Sequence, residues 1–476
     1  MDLLTRPYTY QEAAVNKLAP LRVGAFFMDM GTGKTLTALN LIARKRRKIS
    51  RVLWFCPVAL KLSTQREIRE HVTPEQCSIY VFDDRTRSGH VPTALVYIIG
   101  IESMSSSARL KLMAAALADE RSMVIVDESS YIKTHSALRT RWIIKLAERC
   151  RYRLLLTGTP VSQGIVDLYS QMRFLSPDIL GYQSFYSFAR NHLEYSKKRK
   201  GLIVRALNQE VVAAKIAPYV YQITKEECLD LPEKRYVEAW CSMTPAQRDL
   251  YERAKDELLL GIQDRDIEAK DIFRLFTALQ QITCGFWNRI THSGRGAGYV
   301  RTEELIEVPH GRLKLLAAKI DEIPQDAKVI IWTKYRRCIG EIAALLQERY
   351  GETTSLFYGD LSEKERAAER ELFRGYRRFF TATESTGGHG LTLNEAHYSI
   401  FYTNGFKYSE RAQAEDRNHR IGQEFPVTYI DIGCDGSIDD RVVQALRQKK
   451  NVVEVFREEV KRLRDRNSKF AALKAL

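Results

Sequence analysis

The chain has 476 residues, which is more than a single hydrophobic core usually serves, so we expect two or three domains. Its apolar content of 45% is ordinary for a soluble globular protein, and no apolar run approaches the ~18 residues of a membrane span. Lys and Arg number 74 against 59 Asp and Glu, giving a net charge of +15. This excess indicates either a polyanionic partner, most often nucleic acid, or a solvated basic surface.

The eight cysteines are scattered along the chain, and no Cys-x-x-Cys pair occurs. This spacing argues against a thiolate zinc site and is typical of a protein from a reducing compartment. The first residues show no signal-peptide pattern, so we expect a cytoplasmic protein.

Short apolar strands alternate with helical periods in the first part of the chain, which predicts a parallel sheet covered by helices. After the first strand and a glycine turn, Leu36, Leu39 and Ala43 mark one face of a helix. The predicted strands are residues 23–28, 52–56, 96–99, 123–126 and 154–156.

A second α/β series begins near residue 311, with predicted strands at residues 329–332, 379–382, 400–402 and 427–430. Between the two series, residues 178–310 are charged and aromatic and are predicted to be helical. We therefore predict one lobe over residues 1–230, with a helical insertion after about 178, and a second over 231–476. The second lobe is expected to have a helical insertion at about 245–310 and a long closing helix from Ile438.

The segment Gly31-Thr32-Gly33-Lys34-Thr35 follows a strand and opens a helix, which is the context of a phosphate-binding loop. Glycines let backbone N–H groups approach phosphates, and a helix N-terminus favours an anion. Lys34 can supply a cation to the phosphates, and the Thr35 hydroxyl can bind Mg²⁺. Met28 stands where the common pattern has its first glycine, so an ordinary strand-to-helix turn is the alternative.

Asp127 and Glu128 directly follow a buried strand, where an open α/β sheet places its ligands. Asp127 can hold Mg²⁺, and Glu128 can orient and deprotonate an attacking water. The turn at residues 157–160 follows the next apolar strand. Its small hydroxyl residues can relay a hydrogen bond from the metal site to the other lobe, although the same sequence also suits a simple turn.

Arg417 and Arg420 are spaced i, i+3, so we expect them on one helix face. An arginine at the γ-phosphate stabilises transition-state charge and contributes on the order of 10³ to 10⁵ in rate. Two solvent-facing residues are the alternative. If Lys34 and Arg417 touch one triphosphate, two lobes must close over it, and hydrolysis can then drive motion.

In this order the motifs resemble those of superfamily 2 helicases, specifically the SWI/SNF-like ATP-dependent DNA translocases. The most specific match is the block Gln-x-x-Asp-Arg-x-His-Arg-Ile-Gly-Gln at residues 413–423, and the resemblance extends from about Arg6 to about Lys450. It implies two RecA-like P-loop NTPase lobes, each a parallel sheet flanked by helices, with helical insertions between them.

The resemblance also implies roles for individual residues. Gln11 would contact adenine, Lys34 and Thr35 would hold phosphates and Mg²⁺, and Asp127 and Glu128 would serve the metal and the water. Arg417 and Arg420 would complete the catalytic site. Positions expected to face nucleic acid are Pro57, Gly387, Gly388 and Gly390.

The implied function is a DNA-dependent ATPase that translocates along duplex DNA, with ATP and Mg²⁺ as cofactors. DNA is favoured over RNA, no membrane is involved, and a bacterial or phage-type, nucleoid-associated protein is expected. A strand-separating helicase and an ATP-gated scaffold with little hydrolysis remain as alternatives. Ser130, in place of the family's usual histidine, leaves room for the scaffold, whereas Lys34, Glu128 and the two arginines argue against it.

Overall fold

A computed structural model describes residues 1–87, 91–161, 164–196, 203–262, 267–293, 300–387, 391–463 and 466–476. The chain divides into two compact units, Met1–Asp230 and Leu231–Leu476. Within the described ranges, no helix combines the length and the apolar character that crossing a bilayer requires.

The first unit is built on a seven-stranded sheet in which every strand pairing is parallel. Its strand order is β3-β4-β2-β5-β6-β1-β9, and β7 and β8 form a separate antiparallel hairpin. The strands are β1 (Val23–Met28), β2 (Arg51–Cys56), β3 (Ile79–Val81), β4 (Val96–Gly100), β5 (Ser122–Asp127), β6 (Tyr152–Thr157), β7 (Leu193–Tyr195), β8 (Ile203–Ala206) and β9 (Val220–Ile223).

Helices cover both faces of this sheet, as its cores show. Ala25 and Phe27 of β1 pack into one core, whereas Phe26 and Met28 pack into the other. Side chains of a strand point alternately to its two faces, so a strand covered on both faces must be apolar throughout. This burial explains the continuous apolar runs from which β1, β2, β5 and β6 were predicted.

The helices of the first unit follow in chain order. They are α1 (Thr9–Leu18), α2 (Lys34–Lys45), α3 (Lys61–His71), α4 (Ser103–Ser106), α5 (Ala108–Leu117), α6 (Leu138–Ala147), α7 (Val166–Leu175), α8 (Pro177–Leu180), α9 (Phe185–His192), α10 (Gln209–Ile216) and α11 (Lys225–Cys228). Short 3₁₀ turns span Val58–Leu60, Ser129–Ile132 and Ala217–Tyr219.

The second unit contains a six-stranded parallel sheet with the order β10-β17-β16-β13-β15-β14, and an antiparallel hairpin of β11 and β12. Its strands are β10 (Lys234–Cys241), β11 (Phe286–Ser293), β12 (Val300–Glu307), β13 (Lys328–Thr333), β14 (Ser355–Phe357), β15 (Phe379–Thr383), β16 (Ala396–Phe401) and β17 (Val427–Cys434). The predicted α/β fold class, with parallel sheets flanked by helices, is confirmed.

The helices of the second unit flank this sheet and also form a core of their own. This additional core of the second unit contains Leu250, Phe276, Val442 and Phe456. The helices are α12 (Pro245–Leu260), α13 (Ala269–Thr283), α14 (Arg312–Asp321), α15 (Arg336–Tyr350), α16 (Glu363–Arg374), α17 (Glu384–Gly387), α18 (Tyr408–Glu415), α19 (Ile438–Arg447), α20 (Val452–Arg462) and α21 (Arg466–Lys474).

Two expectations about helices were wrong. Residues 178–310 are not helical throughout, because β7–β12 lie there and β9 and β10 are edge strands of the two main sheets. These strands are partly exposed, so their sequences lack a continuous apolar run. The tail from Ile438 is not one long helix either, since α19 ends at Arg447 and Lys449 has a left-handed backbone (φ 56°).

Candidate functional site

The glycine-rich turn at residues 29–33, here called the glycine loop, connects β1 to α2. Gly31 and Gly33 have φ values of 76° and 75°, in the left-handed region that favours glycine. Gly33 is the N-cap of α2, and no side chain caps that helix. A Cβ atom on Gly33 would lie 2.3 Å from Gln11 Nε2. The loop therefore leaves the backbone N–H groups of the helix N-terminus available to an anion.

Two side chains of α1 hold the glycine loop in place. Gln11 Nε2 donates to Thr32 O (3.0 Å) and Gly33 O (3.4 Å), and the Tyr10 hydroxyl donates to Thr32 O (3.0 Å). Gln11 Oε1 accepts from the Tyr8 N–H (2.9 Å), and Gln11 is 1% exposed. The Gln11 amide thus positions the loop, and its contact with adenine stays a prediction.

Lys34 and Thr35 begin α2 at the mouth of this loop. Lys34 Nζ donates to the carbonyl oxygens of Met28 (3.1 Å) and Asp29 (3.2 Å), so the ammonium lies across the loop. Thr35 is buried. A cation and a hydroxyl are thereby brought to the carboxyl end of β1.

Asp127 and Glu128 lie at the carboxyl end of β5, at the same edge of the sheet. Asp127 Oδ1 accepts a hydrogen bond from the Glu128 N–H (2.9 Å). Burial and the neighbouring Glu128 carboxylate raise the pKa of Asp127 to about 7, an effect that the Lys34 ammonium partly offsets. The two sequence motifs therefore form one electrostatic site, although they are far apart in the chain.

Glu128 has an unusual backbone, with φ 48° and ψ 57°. A residue other than glycine is disfavoured in this left-handed region, and such strain is concentrated at functional sites. Among the described residues, no group of three or more His, Cys, Asp and Glu side chains is arranged to hold a metal ion.

The turn after β6 packs against the glycine loop. A Cβ atom on Gly158 would lie 3.2 Å from Met30 N and 3.3 Å from Met28 O. Thr157 Oγ1 accepts from the Thr159 N–H (3.1 Å) and so closes the turn on itself. A side chain at position 158 would therefore force the two backbones slightly apart.

Sequence reasoning missed the buried side chain that joins this turn to the strained Glu128 segment. Gln171 of α7 accepts from the Ser129 hydroxyl (2.6 Å) and donates to Pro160 O (2.8 Å). This contact lies within the first unit, and the relay expected of the hydroxyl residues at 157–160 toward the other lobe stays a prediction. A single glutamine in a helix gives no sequence signal for such a contact.

The glycine loop is also tied to the last strand of the first unit. β9 pairs with β1 in parallel, with Met28 opposite Ile223. The Asp29 N–H donates to Ile223 O (3.2 Å), and Asp29 Oδ2 accepts from the Lys225 N–H (3.1 Å). The start of α11 is therefore fixed to the first residue of the loop.

Arg417 and Arg420 lie in the second unit. The prediction that both lie on one helix was wrong. α18 ends at Glu415, and both arginines follow in irregular turns. They still converge, because Nη1 of Arg417 (3.1 Å) and Nη1 of Arg420 (3.3 Å) both donate to Leu391 O. Arg417 also donates to Gln413 O (2.8 Å) and is buried, whereas Arg420 is half-buried.

The positions expected to face nucleic acid are only partly described. Pro57 directly follows β2, at the same sheet edge as the glycine loop. Gly387 ends α17 after β15. Gly388 and Gly390 lie outside the described residues.

A buried ion network, which the sequence did not indicate, supports the arginine segment. Arg411 of α18 pairs with Asp431 of β17 and, at 2.8 Å, with Glu415. Glu415 also accepts from Lys234 Nζ (2.9 Å) and from the Tyr236 hydroxyl (2.9 Å) of β10. The network joins α18, which precedes the arginines, to the two strands at one edge of the sheet.

Two family models match the chain. One, described as an SNF2-related domain, matches residues 10–286, which is more than half of the chain. The chain belongs to the SNF2-related family. The other model, described as a helicase conserved C-terminal domain, matches residues 311–422 of this SNF2-related chain, the segment that ends just after Arg420.

Curated relatives of the SNF2-related chain are longer than it is. The putative ATP-dependent helicase/translocase YwqA of Bacillus subtilis is 26% identical over 470 residues, which cover 93% of this chain and 48% of YwqA. The probable ATP-dependent DNA helicase CHR12 of Arabidopsis thaliana is 25% identical over 344 residues, covering 69% of this chain and 30% of CHR12. The matched part spans from 21% to 74% of the length of such curated relatives, and less than half of most of them.

The SWI2/SNF2 ATPase core of Sulfolobus solfataricus in complex with dsDNA is among the solved structures to which the chain is similar. It is 20% identical in sequence and has a TM-score of 0.44, with 99% of this chain and 97% of that chain covered.

Proposed function

We propose that this SNF2-related chain is a DNA-dependent ATPase that couples ATP hydrolysis to translocation along duplex DNA. The observation that carries the proposal is the meeting of the glycine loop and Lys34 with Asp127 and Glu128 at one edge of the first sheet. A phosphate-binding cation beside two carboxylates suits hydrolysis of a nucleoside triphosphate. The names of the relatives, ATP-dependent helicases, support ATP as that nucleotide.

The triphosphate would lie on the glycine loop, against the N-terminus of α2. Lys34 Nζ now donates to the carbonyls of Met28 and Asp29, and a phosphate oxygen is a stronger partner for it than either carbonyl. The positive φ values of Gly31 and Gly33 keep side chains out of the way of the phosphates.

Mg²⁺ would be held by the Thr35 hydroxyl and the Asp127 carboxylate together with phosphate oxygens, and it would neutralise phosphate charge. This small set of ligands is consistent with the lack, among the described residues, of a larger cluster suited to a metal. Because burial raises the pKa of Asp127 to about 7, this carboxyl has to lose its proton before it can serve as a ligand.

Glu128 would orient the attacking water and accept its proton. The left-handed backbone of Glu128 sets the direction of its side chain, so its position depends on the contacts of the neighbouring residues. Arg417 and Arg420 are proposed to offset negative charge on the same nucleotide in the transition state. Their convergence on Leu391 O supports a shared role for the pair.

Duplex DNA is proposed as the partner on the basis of charge and family. The net charge of +15 favours a polyanion, and it gives binding that weakens as salt increases. RNA carries the same phosphates, so charge does not discriminate between the two. The helicase names of the relatives support DNA.

The decisive experiment measures steady-state ATP turnover of the full chain without nucleic acid and with duplex DNA, single-stranded DNA and RNA. We expect duplex DNA to stimulate turnover most strongly. Lys34→Ala should abolish turnover and weaken ATP binding, whereas Glu128→Gln should abolish turnover and retain ATP binding. Lys145→Ala and Glu148→Gln are matched controls, because both side chains are exposed on or just after α6 of the same unit.

Negligible turnover with every nucleic acid would contradict the proposal and favour an ATP-gated scaffold. Normal hydrolysis by Glu128→Gln would show that another group activates the water. Translocation can be tested directly by measuring whether the wild-type protein displaces a third strand from a duplex whose own two strands stay paired. Release of a labelled strand from a forked duplex, at rates matching ATP turnover, would indicate a strand-separating helicase instead.

A further inference from the structure

Two fully buried polar side chains join the segment after β5 to the turn after β6. The Ser129 hydroxyl donates to Gln171 Oε1 at 2.6 Å, and both residues are 0% exposed. Gln171 Nε2 donates to Pro160 O (2.8 Å) and to Asp167 O (2.9 Å). Because both carbonyls need donors, the Gln171 amide has one satisfactory orientation, with its oxygen toward Ser129.

These hydrogen bonds connect parts of the site whose relative positions have to be maintained. Ser129 directly follows Glu128, whose backbone is left-handed. Pro160 belongs to the turn in which Gly158 approaches Met28 and Met30 of the glycine-loop region. A path of contacts thus runs from the loop that would hold the phosphates, through the turn and Gln171, to the residue that would orient the water.

We infer that Gln171 is a positioning residue for Glu128 and acts through Ser129. This role rests on the proposed ATPase function. A glutamate with φ 48° stays in that conformation only where its surroundings hold it there. Without the Ser129–Gln171 hydrogen bond, the segment is free to relax toward negative φ, which redirects the Glu128 carboxylate. Gln171 itself does not touch the nucleotide or the water.

A second reading is that the pair only packs α7 against the sheet. The two readings differ in what they do to kinetics. Loss of a positioning residue slows the chemical step. It leaves ATP binding unchanged, because Lys34, Thr35 and the glycine loop, which would bind ATP, keep their own contacts. Misplacement of a catalytic group by about 1 Å can cost on the order of 100-fold in rate.

The test compares kcat, KM for ATP and affinity for a fluorescent ATP analogue in Ser129→Ala and Gln171→Leu. We expect kcat to fall by about 10- to 100-fold and the affinity to change by less than about twofold. Ser122→Ala is the matched control, because Ser122 is also 0% exposed and its hydroxyl donates to Leu117 O (3.0 Å). Ser122 lies at the opposite end of β5, so its loss should lower stability without lowering kcat.

The double variant Ser129→Ala/Gln171→Leu separates a shared role from two independent ones. If the two residues act as one unit, the double variant loses no more kcat than Gln171→Leu alone, whereas independent effects multiply. Ser129→Thr, which restores a hydroxyl, should recover part of the kcat lost in Ser129→Ala.

Three results would overturn the inference. One is a kcat in both single variants within twofold of the Ser122→Ala value. The second is a loss of ATP affinity that matches the loss of kcat, and the third is multiplicative loss in the double variant. Each leaves the proposed function intact if the wild-type protein hydrolyses ATP. Absence of turnover in the wild type with every DNA would instead overturn the proposed function and the inference together.

Discussion

Replacing Arg312 by methionine should strongly destabilise the second unit. Arg312, the first residue of α14, is 0% exposed and pairs with Asp439 of α19, which is 4% exposed. Its guanidinium also donates to Thr283 O (3.2 Å), Tyr402 O (2.6 Å) and Ile432 O (3.0 Å). One cation thus joins α13, α14, the end of β16, β17 and α19.

The loss of stability in Arg312→Met depends on the buried groups that the substitution leaves unpaired. Removing one partner of a buried ion pair costs about 3–5 kcal/mol, because the other charge stays in the protein interior. Three carbonyls that lose a charged donor add about 1–2 kcal/mol, so we expect a loss on the order of 5 kcal/mol. Replacing Asp439 by leucine as well should restore much of this loss, since an apolar pair leaves no buried charge.

Hydrogen exchange measured by mass spectrometry can locate this effect. The free energy of opening should fall for peptides from β16, β17 and α19, while peptides from β2 and β5 of the first unit should be unchanged. Arg349→Met is the control, because the Arg349–Asp321 pair is half-exposed and should contribute little. A fall of less than about 1 kcal/mol in Arg312→Met would refute the reasoning, since that is the range of an exposed ion pair.

Three further predictions concern the candidate site and the sheet of the second unit. Gly33→Ala should weaken ATP binding at least tenfold, because a Cβ there would be strained at φ 75° and would push Gln11 Nε2, 2.3 Å away, from the loop carbonyls that it holds. Gly340→Ala, on an open helix surface, should bind normally, and titration with a fluorescent ATP analogue compares the two variants. Arg420→Ala should lower kcat on the order of 10³-fold with a smaller change in ATP affinity, and equal losses of both would contradict a transition-state role. Burial raises the pKa of Glu384 from 4.5 to about 8, so its contribution to the free energy of unfolding is fully present below pH 4.5 and is lost as the pH rises through 8. Glu384→Gln should therefore become more stable than the wild type at pH 9 in urea unfolding, and an advantage that is the same at pH 5 and pH 9 would disprove this.

Burial on both sides made most of the central strands predictable. β2, β5 and β13 are covered by helices on each face, so their sequences are apolar without interruption. The chemistry of the glycine loop was also visible, because left-handed backbone at Gly31 and Gly33 restricts the residue type. Local rules of this kind leave a signal in a short window of sequence.

Features that depend on distant contacts left no such signal. The hairpin of β11 and β12 is partly polar, and its charged residues led to the prediction of a helical segment. Ser129 and Gln171 are 42 residues apart and meet only in the folded unit. The arginines were assigned to a helix on spacing alone, yet α18 ends before them, and their shared acceptor, Leu391, lies elsewhere in the chain.

The bond between Asp29 and the Lys225 N–H has a mechanical consequence. Leu231, where the second unit starts, comes only six residues after Lys225 in the chain. If Asp29 moves when a nucleotide binds, Lys225 would move with it, and so would the start of the peptide that leads into the second unit. The covalent tether between the halves therefore begins beside a helix that is hydrogen-bonded to the proposed nucleotide-binding loop.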